Sequence, residues 1–540
     1  AVVSISDIDR GTTYTTTANE SGNFEKTHLL AGRYKVEVTA PGFKPFGTTA
    51  IVQIDSSTRV DSRLGVQGTA TEVTVTAETP LLKTDRADVS TTITTEELGS
   101  LPILNRNLTQ MLLVTPGTQV NDWQHSQAEN PQGGYQIAAN GQQFTSNGFL
   151  IDGTENQSAI LGIAVVNPNI DSLQEFKVTT SNYDAQFGSV SGALMQATTK
   201  SGTNTFHGSA FEYLRNDMFN ANDRFSGLNL PLRWNQFGGS IGGPVVKDKL
   251  FFFADYQGTR RRRAASSIVN VPTAAQRDGD LSSFLGDFIC SDGSTSPTGC
   301  GANAVMVPTT EGGSIAARAG MIFDPTTGDE NGAGRQAITT NGQANVIRVP
   351  SAVTNILKFI PLPNTGGGAL FNNYIASGSE HFDSDQVDGR VDYNFSEKLQ
   401  FFGRYTIADF TLSAPGAYGA VAGGPGLNGI FFAGSSLDRN QSVALGANYT
   451  LSPTLITDFR FGFYRYRIRV EPNGVGTTPA SDAGFPGLNL GTGETSGMPA
   501  FYIGGAAGFN FGYALNVNQC NCPLKETENQ FQWVNNWTKT

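Results

Sequence analysis

The sequence predicts a mainly β fold in three parts: an N-terminal β-sandwich, a mixed α/β domain, and about eight strands of a large antiparallel transmembrane β-barrel. Two observations in the second half carry this prediction. Extended segments alternate apolar and polar residues, and long loops and very short turns join them in turn. In residues 386–394, Val387, Gly389, Val391 and Tyr393 share one face. A barrel wall requires this alternation, because successive side chains face lipid and lumen.

The composition of the 540-residue chain agrees with a barrel and excludes other classes of protein. The length predicts several domains. No apolar run is long enough for a membrane-spanning helix, whereas a mean hydropathy of −0.22 is compatible with a barrel whose apolar surface lies in every second residue. The net charge of −11 argues against nucleic acid as a partner.

Residues 1–67 contain short β runs divided by turn residues, which predicts a small β-sandwich. The stretch from Tyr34 to Val38 alternates cleanly, as a half-buried strand does. Two interpretations of this domain stay open. We favour a structural module without a site, because most sandwich surfaces carry none, and a carbohydrate-binding module is the alternative.

Residues 68–200 mix helical and extended patterns, which predicts a compact α/β domain. Thr71 to Ala77 is an extended strip rich in β-branched residues. Thr94 to Leu98 is typical of a capped helical turn, since threonine precedes glutamates that lie near the free amides. Asn107 to Val114 predicts a helix that ends before a Pro-Gly pair, and Phe149 to Gly153 predicts a strand that runs into a turn.

Residues 201–540 carry the barrel pattern. The predicted strands span about 204–216, 234–243, 249–262, 384–394, 398–411, 438–450, 455–470 and 529–539. The connections between them alternate long and short, and outer-membrane barrels combine long outer loops with short periplasmic turns. If the preceding domain lies in the periplasm, all the long connections fall outside the cell.

Arginines mark the outer ends of two predicted strands. They are Arg260, Arg261, Arg262 and Arg263 on the third strand and Arg465, Arg467 and Arg469 on the seventh. On the seventh strand they follow an apolar phase of phenylalanines, so the change marks where the strand leaves the hydrocarbon. We hypothesise that these arginines contact phosphates of the outer-leaflet glycolipid by bidentate pairing; a solvated barrel rim is the alternative.

The chemically reactive residues do not form a catalytic or metal-binding motif. Gly238 to Gly242 matches the hydrolase G-x-S-x-G pattern but lies inside an alternating strand, so no enzyme is predicted. The cysteines lack metal-ligand spacing and are disulfide candidates: Cys290, Cys300, Cys520 and Cys522. No cofactor is expected, with calcium in the acidic outer loops, for instance around Asp324 to Asn331, as the alternative.

Several motifs, in one order, resemble TonB-dependent outer-membrane receptors. They are residues 73–82, 101–107, 149–153 with Asp152 and Gly153 as the Asp-Gly pair of the plug domain, 174–178, 182–188 and 199–210. They match the Oar-like branch in particular, whose N-terminal carboxypeptidase-regulatory-like sandwich, of the transthyretin or carbohydrate-binding type, is similar to residues 22–24 and 31–43 here.

The resemblance implies a domain order and a strand count. The sandwich takes residues 1–67, the plug residues 68–200 and the barrel residues 201–540. Barrels of this family have about 22 strands, so we interpret the chain as an internal fragment that is truncated at both ends.

The resemblance also implies a partner. An inner-membrane protein, TonB, pairs as an added strand with a short extended segment and pulls on the plug. The candidate segment consists of Glu72, Val73, Thr74, Val75, Thr76 and Ala77. The alternative is that this segment forms the last strand of the sandwich or the first strand of the plug.

The implied function is uptake of a nutrient too large for porins, with a glycan or a peptide as the expected class. The implied location is the outer membrane of a Gram-negative-type bacterium, with the N-terminal domain in the periplasm. The alternative function is a surface protein for adhesion or for a secretion-related interaction without active uptake. The nutrient itself is not identified by the sequence.

Overall fold

A computed structural model gives the structure of the chain. It describes residues 1–27, 29–66, 87–100, 103, 106–122, 127–225, 227–428, 430, 433–452, 454–504, 508–513 and 523–539, and the backbone of 74–76. Of the predicted site residues, five lie outside this part of the chain: Glu72, Val73, Ala77, Cys520 and Cys522. Three sheets, one in each predicted part, contain most of the described strands.

The N-terminal domain is built on one five-stranded sheet. Its strands are β1 (Val2–Asp7), β2 (Thr13–Thr17), β3 (Gly32–Thr39), β4 (Phe46–Val52) and β5 (Thr74–Thr76), in the order β2-β1-β3-β4-β5. All pairs are antiparallel except β4 with β5, which is parallel. Alternate residues such as Val3, Tyr34 and Val36 are buried on one face.

The second layer of this domain consists of irregular segments. Phe24, Leu29, Val60 and Leu64 come from loops and pack against the buried face of the sheet. These loops lack an alternating pattern, so they cover the apolar face without adding paired strands.

The plug combines a five-stranded sheet, a hairpin and short helices. Its strands are β6 (Val89–Thr94), β7 (Thr118–Val120), β8 (Ile137–Ala139), β9 (Gly148–Ile151), β10 (Thr154–Glu155), β11 (Leu173–Ser181) and β12 (Leu194–Thr199). The sheet order is β10-β9-β12-β11-β6, with β9 and β12 parallel, and β7 pairs with β8 separately. Its helices are α1 (Thr95–Ser100) and the 3₁₀ turns Leu108–Val114, Gln127–Glu129, Phe144–Ser146, Ile170–Ser172 and Ala185–Phe187.

Capping residues place the two predicted helices of the plug. Before α1, the Thr94 amide donates to the Glu97 carboxylate at 2.8 Å and the Glu97 amide donates to the Thr94 hydroxyl at 3.5 Å, which together form a capping box. The Asn107 side chain accepts the Thr109 amide at 3.0 Å and begins the second helix. That helix, Leu108–Val114, is a 3₁₀ helix rather than an α-helix. Its short apolar run packs into the plug core, where Met111 and Leu112 are buried.

The barrel wall is an eight-stranded antiparallel sheet with the strands in sequence order. The strands are β13 (His207–Asn216), β14 (Leu232–Val246), β15 (Leu250–Val269), β16 (Tyr374–Asn394), β17 (Leu399–Ala414), β18 (Gly434–Ser452), β19 (Leu455–Glu471) and β20 (Leu524–Lys539). Each coincides with a predicted strand, and most are longer than predicted. About ten tilted residues cross a bilayer, so the strand ladder continues beyond the hydrocarbon.

The long connections form a packed outer layer. It contains α2 (Ala274–Arg277), α3 (Ser351–Leu357), α4 (Gly419–Ala422), α5 (Pro479–Ala483) and two-stranded hairpins. An apolar cluster that includes Ile356, Tyr418 and Phe511 joins the three longest loops. Cys290 and Cys300 form a disulfide in the first of them. Among the described residues, no helix has the length and apolar character needed to span a bilayer.

Candidate functional site

The predicted Asp-Gly pair forms the turn between β9 and β10. Asp152 has φ 51° and Gly153 has φ 77°, and the two residues connect a hairpin in which Thr154 pairs with Ile151. Two-residue hairpin turns of this kind need positive φ at both positions, which Asp followed by Gly tolerates. The turn brings the Asp152 side chain to the barrel wall.

Two wall arginines hold the Asp152 carboxylate. Arg390 on β16 donates to it at 2.9 Å, and the Arg404 Nε on β17 lies 2.9 Å from it. Within the plug, the carboxylate accepts the amide of Thr199 at 2.9 Å and its hydroxyl at 2.8 Å. Arg390 also pairs with Asp392 at 2.8 Å. All these charged side chains are less than a tenth exposed, so the carboxylate is needed to balance buried cations.

An aromatic ring supports the arginines from the wall. The Phe402 ring lies 4.9 Å from the guanidinium carbon of Arg390 and 5.1 Å from that of Arg460. Such contacts stabilise a cation by the negative face of the ring. The neighbouring strand has Gly446 at this position, and a Cβ there would lie 2.0 Å from the ring. The glycine therefore makes room for the ring.

We call the boundary between the plug and the lumen-facing side of the wall the seam. A second contact lies along it, on β15 and β16. The Asn169 amide of the plug donates to Asp255 on β15 and, at 3.2 Å, to Asp388 on β16. Thr406 and Gln386 donate to the same Asp388 carboxylate at 2.5 and 2.9 Å. The side-chain amide of Asn169 thus links two carboxylates of the wall.

Tyrosines of β19 form a third contact. The Tyr464 hydroxyl donates to the Gln157 carbonyl at 2.5 Å, and the Tyr466 hydroxyl donates to the Glu129 carbonyl. Both tyrosines are buried in the cluster that also holds the plug core. On β20, the Glu528 carboxylate accepts the Ser158 hydroxyl at 2.8 Å. The seam therefore runs from β15 to β20, and it combines these polar contacts with apolar packing of Phe382, Leu412, Ile468 and Val470 against the plug core.

The N-terminal domain docks on the turn end of the wall. The contacts are Asn204 Nδ2 to the Arg10 carbonyl (2.7 Å), Asn394 Nδ2 to Thr12 Oγ1 (2.8 Å), Gln400 Nε2 to the Tyr14 hydroxyl (2.5 Å) and Lys26 Nζ to Thr450 Oγ1 (3.1 Å). A cavity of about 1430 Å³ lies between this domain, the plug and the wall, and Asp152 and Arg390 line it. There is consequently open space on this side of the seam.

The plug strand β11 joins the plug to the N-terminal domain. The Glu175 carboxylate accepts the Ile54 amide at 2.7 Å. Lys177 donates to the Asp55 carbonyl at 2.7 Å and pairs with Asp88 at 3.3 Å. Burial raises the pKa of the Glu175 carboxyl to about 6, although the Ile54 amide favours its charged form.

This raised pKa predicts pH-dependent docking. The docked state keeps a proton on Glu175 that the undocked state releases, so docking is strongest below 4.5, the ordinary pKa of a glutamate carboxyl, and weakens as pH rises through about 6. Amide exchange at Ile54, corrected for its intrinsic rate, should therefore quicken between about pH 5 and about pH 7. Glu175→Gln keeps the acceptor and should remove this dependence. An unchanged pH profile in the Gln variant would contradict the assignment.

The three described residues of the candidate TonB-contact segment are part of the N-terminal sheet. Thr74, Val75 and Thr76 pair in parallel with Gly47, Thr48 and Thr49 of β4. This corresponds to the alternative in which the segment forms the last strand of the sandwich. β5 is the terminal strand of the sheet, so among the described strands its second edge is unpaired. Contact with TonB stays a prediction.

The four consecutive arginines of β15 point to two different faces of the wall. The hypothesis that all four contact the glycolipid is therefore wrong for the two that face the lumen. Successive strand residues point to opposite faces. Arg261 and Arg263 face the lumen, where both pair with Glu380 at 3.1 Å. Arg260 and Arg262 face outward and pair with Asp385 at 2.9 Å and Asp383 at 2.7 Å. Arg465, Arg467 and Arg469 all point outward, opposite to the buried Tyr464 and Tyr466.

The serine of the G-x-S-x-G match and the acidic loop residues have ordinary structural roles. Ser240 lies inside β14, and its hydroxyl is 2.9 Å from that of Ser209 across the ladder. In the part of the chain that the structure describes, no three His, Cys, Asp or Glu side chains are arranged to hold a metal ion. Asp324 and Asp329 instead cap their own turns through the amides of Thr326 and Asn331.

Sequence reasoning missed the wall residues of the seam. The polar face of residues 386–394 is visible as a pattern, and it contains Asp388 and Arg390. Nothing in the sequence pairs this face with Asn169 or Asp152, because the partners are more than 200 residues apart for each.

These features define the class of the protein: an outer-membrane β-barrel whose lumen-facing wall holds a plug formed by the preceding residues. The chain belongs to the outer membrane β-barrel domain family, whose family model matches residues 198–540. The family model of the carboxypeptidase regulatory-like domain matches residues 1–65.

A curated relative agrees with this class. The TonB-dependent transporter Oar of Myxococcus xanthus is 25% identical over 259 residues, which are 45% of this chain and 23% of that protein. The chain thus spans less than a quarter of the relative's length. The predicted resemblance to TonB-dependent receptors and the predicted outer-membrane location are confirmed.

Solved structures of receptors and transporters also align with the chain. A variant of the ferric enterobactin receptor of Pseudomonas aeruginosa, in complex with enterobactin, aligns over 83% of this chain and 46% of its own at 11% identity and a TM-score of 0.39. The outer membrane transporter YddB of Escherichia coli aligns over 83% of this chain and 53% of its own at 11% identity and a TM-score of 0.32.

Proposed function

We propose that the chain forms part of an energy-coupled receptor that imports a nutrient too large for porins, and that the plug is the element that moves. The observation that carries this proposal is the set of polar contacts in the seam, above all the Asp152 carboxylate that bridges plug and wall. Groups that form hydrogen bonds and ion pairs across a seam are solvated by water when the seam opens. The polar contacts of the seam therefore suit a plug that leaves its place and returns.

The position of β6 supports a direction for the movement. TonB would bind at Thr74–Thr76 and pull on the chain that leads to β6. Among the described strands, β6 lies at the end of the plug sheet and pairs with β11 alone. A pull from this side removes one strand at a time, so it needs less force than displacing the whole sheet at once.

A proline at Val75 tests the partner contact. Val75→Pro removes a backbone N–H and interrupts strand pairing, so TonB-dependent uptake should fall by at least about tenfold while ligand binding at the cell surface is unchanged. Val75→Ala keeps the N–H and serves as the control. Normal capture of TonB by the proline variant would count against this segment as the contact.

The nutrient class is proposed to be a glycan or a peptide, bound between the plug and the packed outer layer. Growth of cells that carry the intact receptor, on a panel of oligosaccharides and peptides too large for porins, would identify it. The same panel in cells that lack TonB separates import from adhesion. Accumulation that depends on TonB supports import, whereas surface binding without accumulation supports the adhesion alternative.

A further inference from the structure

The outward face of β19 and β20 carries an apolar belt. Its large side chains are Phe459, Phe461, Phe463, Phe531, Trp533 and Trp537. The rings pair across the two strands, with centroids 4.9 Å apart for Phe463 and Phe531 and 5.6 Å apart for Phe461 and Trp533. Phe531, Trp533 and Trp537 are each more than half exposed. Such a belt belongs in the hydrocarbon of the membrane.

Above the belt, the same face carries several cationic residues. Register places Arg465 beside Asn529, Arg467 beside Arg439 of β18, and Arg469 beside Lys525 of β20. Outward residues on one strand are about 7 Å apart and adjacent strands about 5 Å apart, so the five cations form one surface. We name it the upper cationic patch: Arg439, Arg465, Arg467, Arg469 and Lys525.

Few carboxylates balance this patch. Asp409 pairs with Arg439 at 2.6 Å, and Glu471 pairs with Arg469. Arg465 donates at 2.8 Å to Asn529, which is neutral. Within the described residues, no carboxylate lies within ion-pair distance of Arg465, Arg467 or Lys525. Five cations against two carboxylates leave a net formal charge of +3.

The outward arginines of β15 differ from this patch. Arg260 and Arg262 also face outward, but each carries two hydrogen bonds to one carboxylate, Asp385 and Asp383 respectively. Arg262 donates from both Nη1 and Nη2, a bidentate pairing that uses the fork of the guanidinium, whereas Arg260 donates to both Asp385 oxygens from Nη2 alone. These two arginines are consequently neutralised within the wall, although more than a third of each side chain is exposed. Within the upper cationic patch, Asp409 holds Arg439 in the bidentate way, through Nε and Nη2.

We propose that the upper cationic patch binds the phosphate groups of the outer-leaflet glycolipid. The acyl chains of this lipid lie along the aromatic belt, and its phosphates stand at the level where the belt ends and the arginines begin. Arg465 and Arg467 pair with no carboxylate among the described residues, and the fork of a guanidinium matches the oxygens of a phosphate. The inference goes beyond the proposed function, because it requires only a barrel in the outer membrane.

The test compares two pairs of outward arginines in the intact receptor. The receptor is purified from outer membranes in mild detergent, and co-purified glycolipid is counted by native mass spectrometry. Arg465→Gln with Arg467→Gln should reduce glycolipid by about tenfold, because two charge-assisted contacts are lost. Arg260→Gln with Arg262→Gln, the matched control, should leave it unchanged.

A second variant separates binding from folding. Arg467→Lys with Arg465→Lys keeps the charge and loses the fork, so it should retain an intermediate amount of glycolipid. Equal retention in the Gln pair and the wild type would overturn the proposal, as would equal loss in both Gln pairs. Retention of phospholipid in place of glycolipid by the wild type would also overturn it.

Discussion

Asp152→Ala is expected to destabilise the seated plug by about 3–5 kcal/mol. Among the described residues, the substitution leaves the buried Arg404 without a carboxylate in ion-pair contact, and it removes one of the two that hold Arg390. A buried charge without a partner keeps its full desolvation cost. Thermal unfolding of the intact receptor should begin at a lower temperature, and cells should admit an antibiotic that is too large for porins.

Asp409→Ala is the matched control for this loss. Asp409 pairs with Arg439 at 2.6 Å on the outward surface, where both side chains are about half exposed. An exposed pair contributes less than about 1 kcal/mol, so this variant should unfold as the wild type does. Equal effects of the two substitutions would show that Asp152 does not hold the plug.

Gly446→Leu is expected to cost about 3 kcal/mol by crowding the seam from the wall side. A Cβ at Gly446 lies 2.0 Å from the Phe402 ring, which contacts the guanidinium groups of Arg390 and Arg460. The ring has to move away from both cations. Heat-dependent migration of the barrel on gels would measure the loss of stability.

Gly389→Leu controls for the loss of glycine itself. Gly389 lies on the outward face of β16, and a Cβ there meets no atom within 4 Å. The barrel should tolerate this variant because the new side chain faces lipid. If Gly389→Leu and Gly446→Leu lost stability equally, steric contact with Phe402 would not be the cause.

The eight wall strands can be predicted because lipid imposes alternation on each of them. The parts of the strands above the membrane cannot be predicted in this way, because no lipid faces them and alternation is not required there. Residues 264–267 of β15 are small or polar, and they pair with residues 376–379 of β16 by backbone hydrogen bonds and one contact of 2.9 Å between the hydroxyls of Ser266 and Ser377. The predicted end of the third strand, at residue 262, is therefore too early, because the strand ends at Val269.

The arginine run shows a rule that the sequence contains and the glycolipid hypothesis overlooks. Four consecutive strand residues necessarily point to two faces, so Arg261 and Arg263 have to face the lumen once Arg260 faces outward. The same alternation places the spaced arginines of β19 on one face. Arg465, Arg467 and Arg469 are two residues apart and share the outward face.

The seam itself lies beyond sequence reasoning because its partners are distant in the chain. The Asp-Gly pair predicts a turn, and the positive φ values of Asp152 and Gly153 agree with it. That the Asp152 carboxylate meets arginines of β16 and β17 depends on how the plug is rotated within the wall. The hydroxyls of Tyr464 and Tyr466 hold the plug in this orientation by hydrogen bonds to plug carbonyls. These contacts join residues that are distant in the chain, so they are visible only in the folded structure.

The most direct test of the central claim, that the plug opens from β6, is a disulfide between β6 and β11. Ser90 and Thr179 are opposite each other in this ladder, so Ser90→Cys with Thr179→Cys can form a bond in the oxidising periplasm. A bond between Ser6→Cys and Thr13→Cys in the N-terminal sheet is the control. We predict that the plug bond abolishes TonB-dependent uptake, leaves ligand binding intact and allows uptake again after reduction. Full uptake with the plug bond formed would contradict the account.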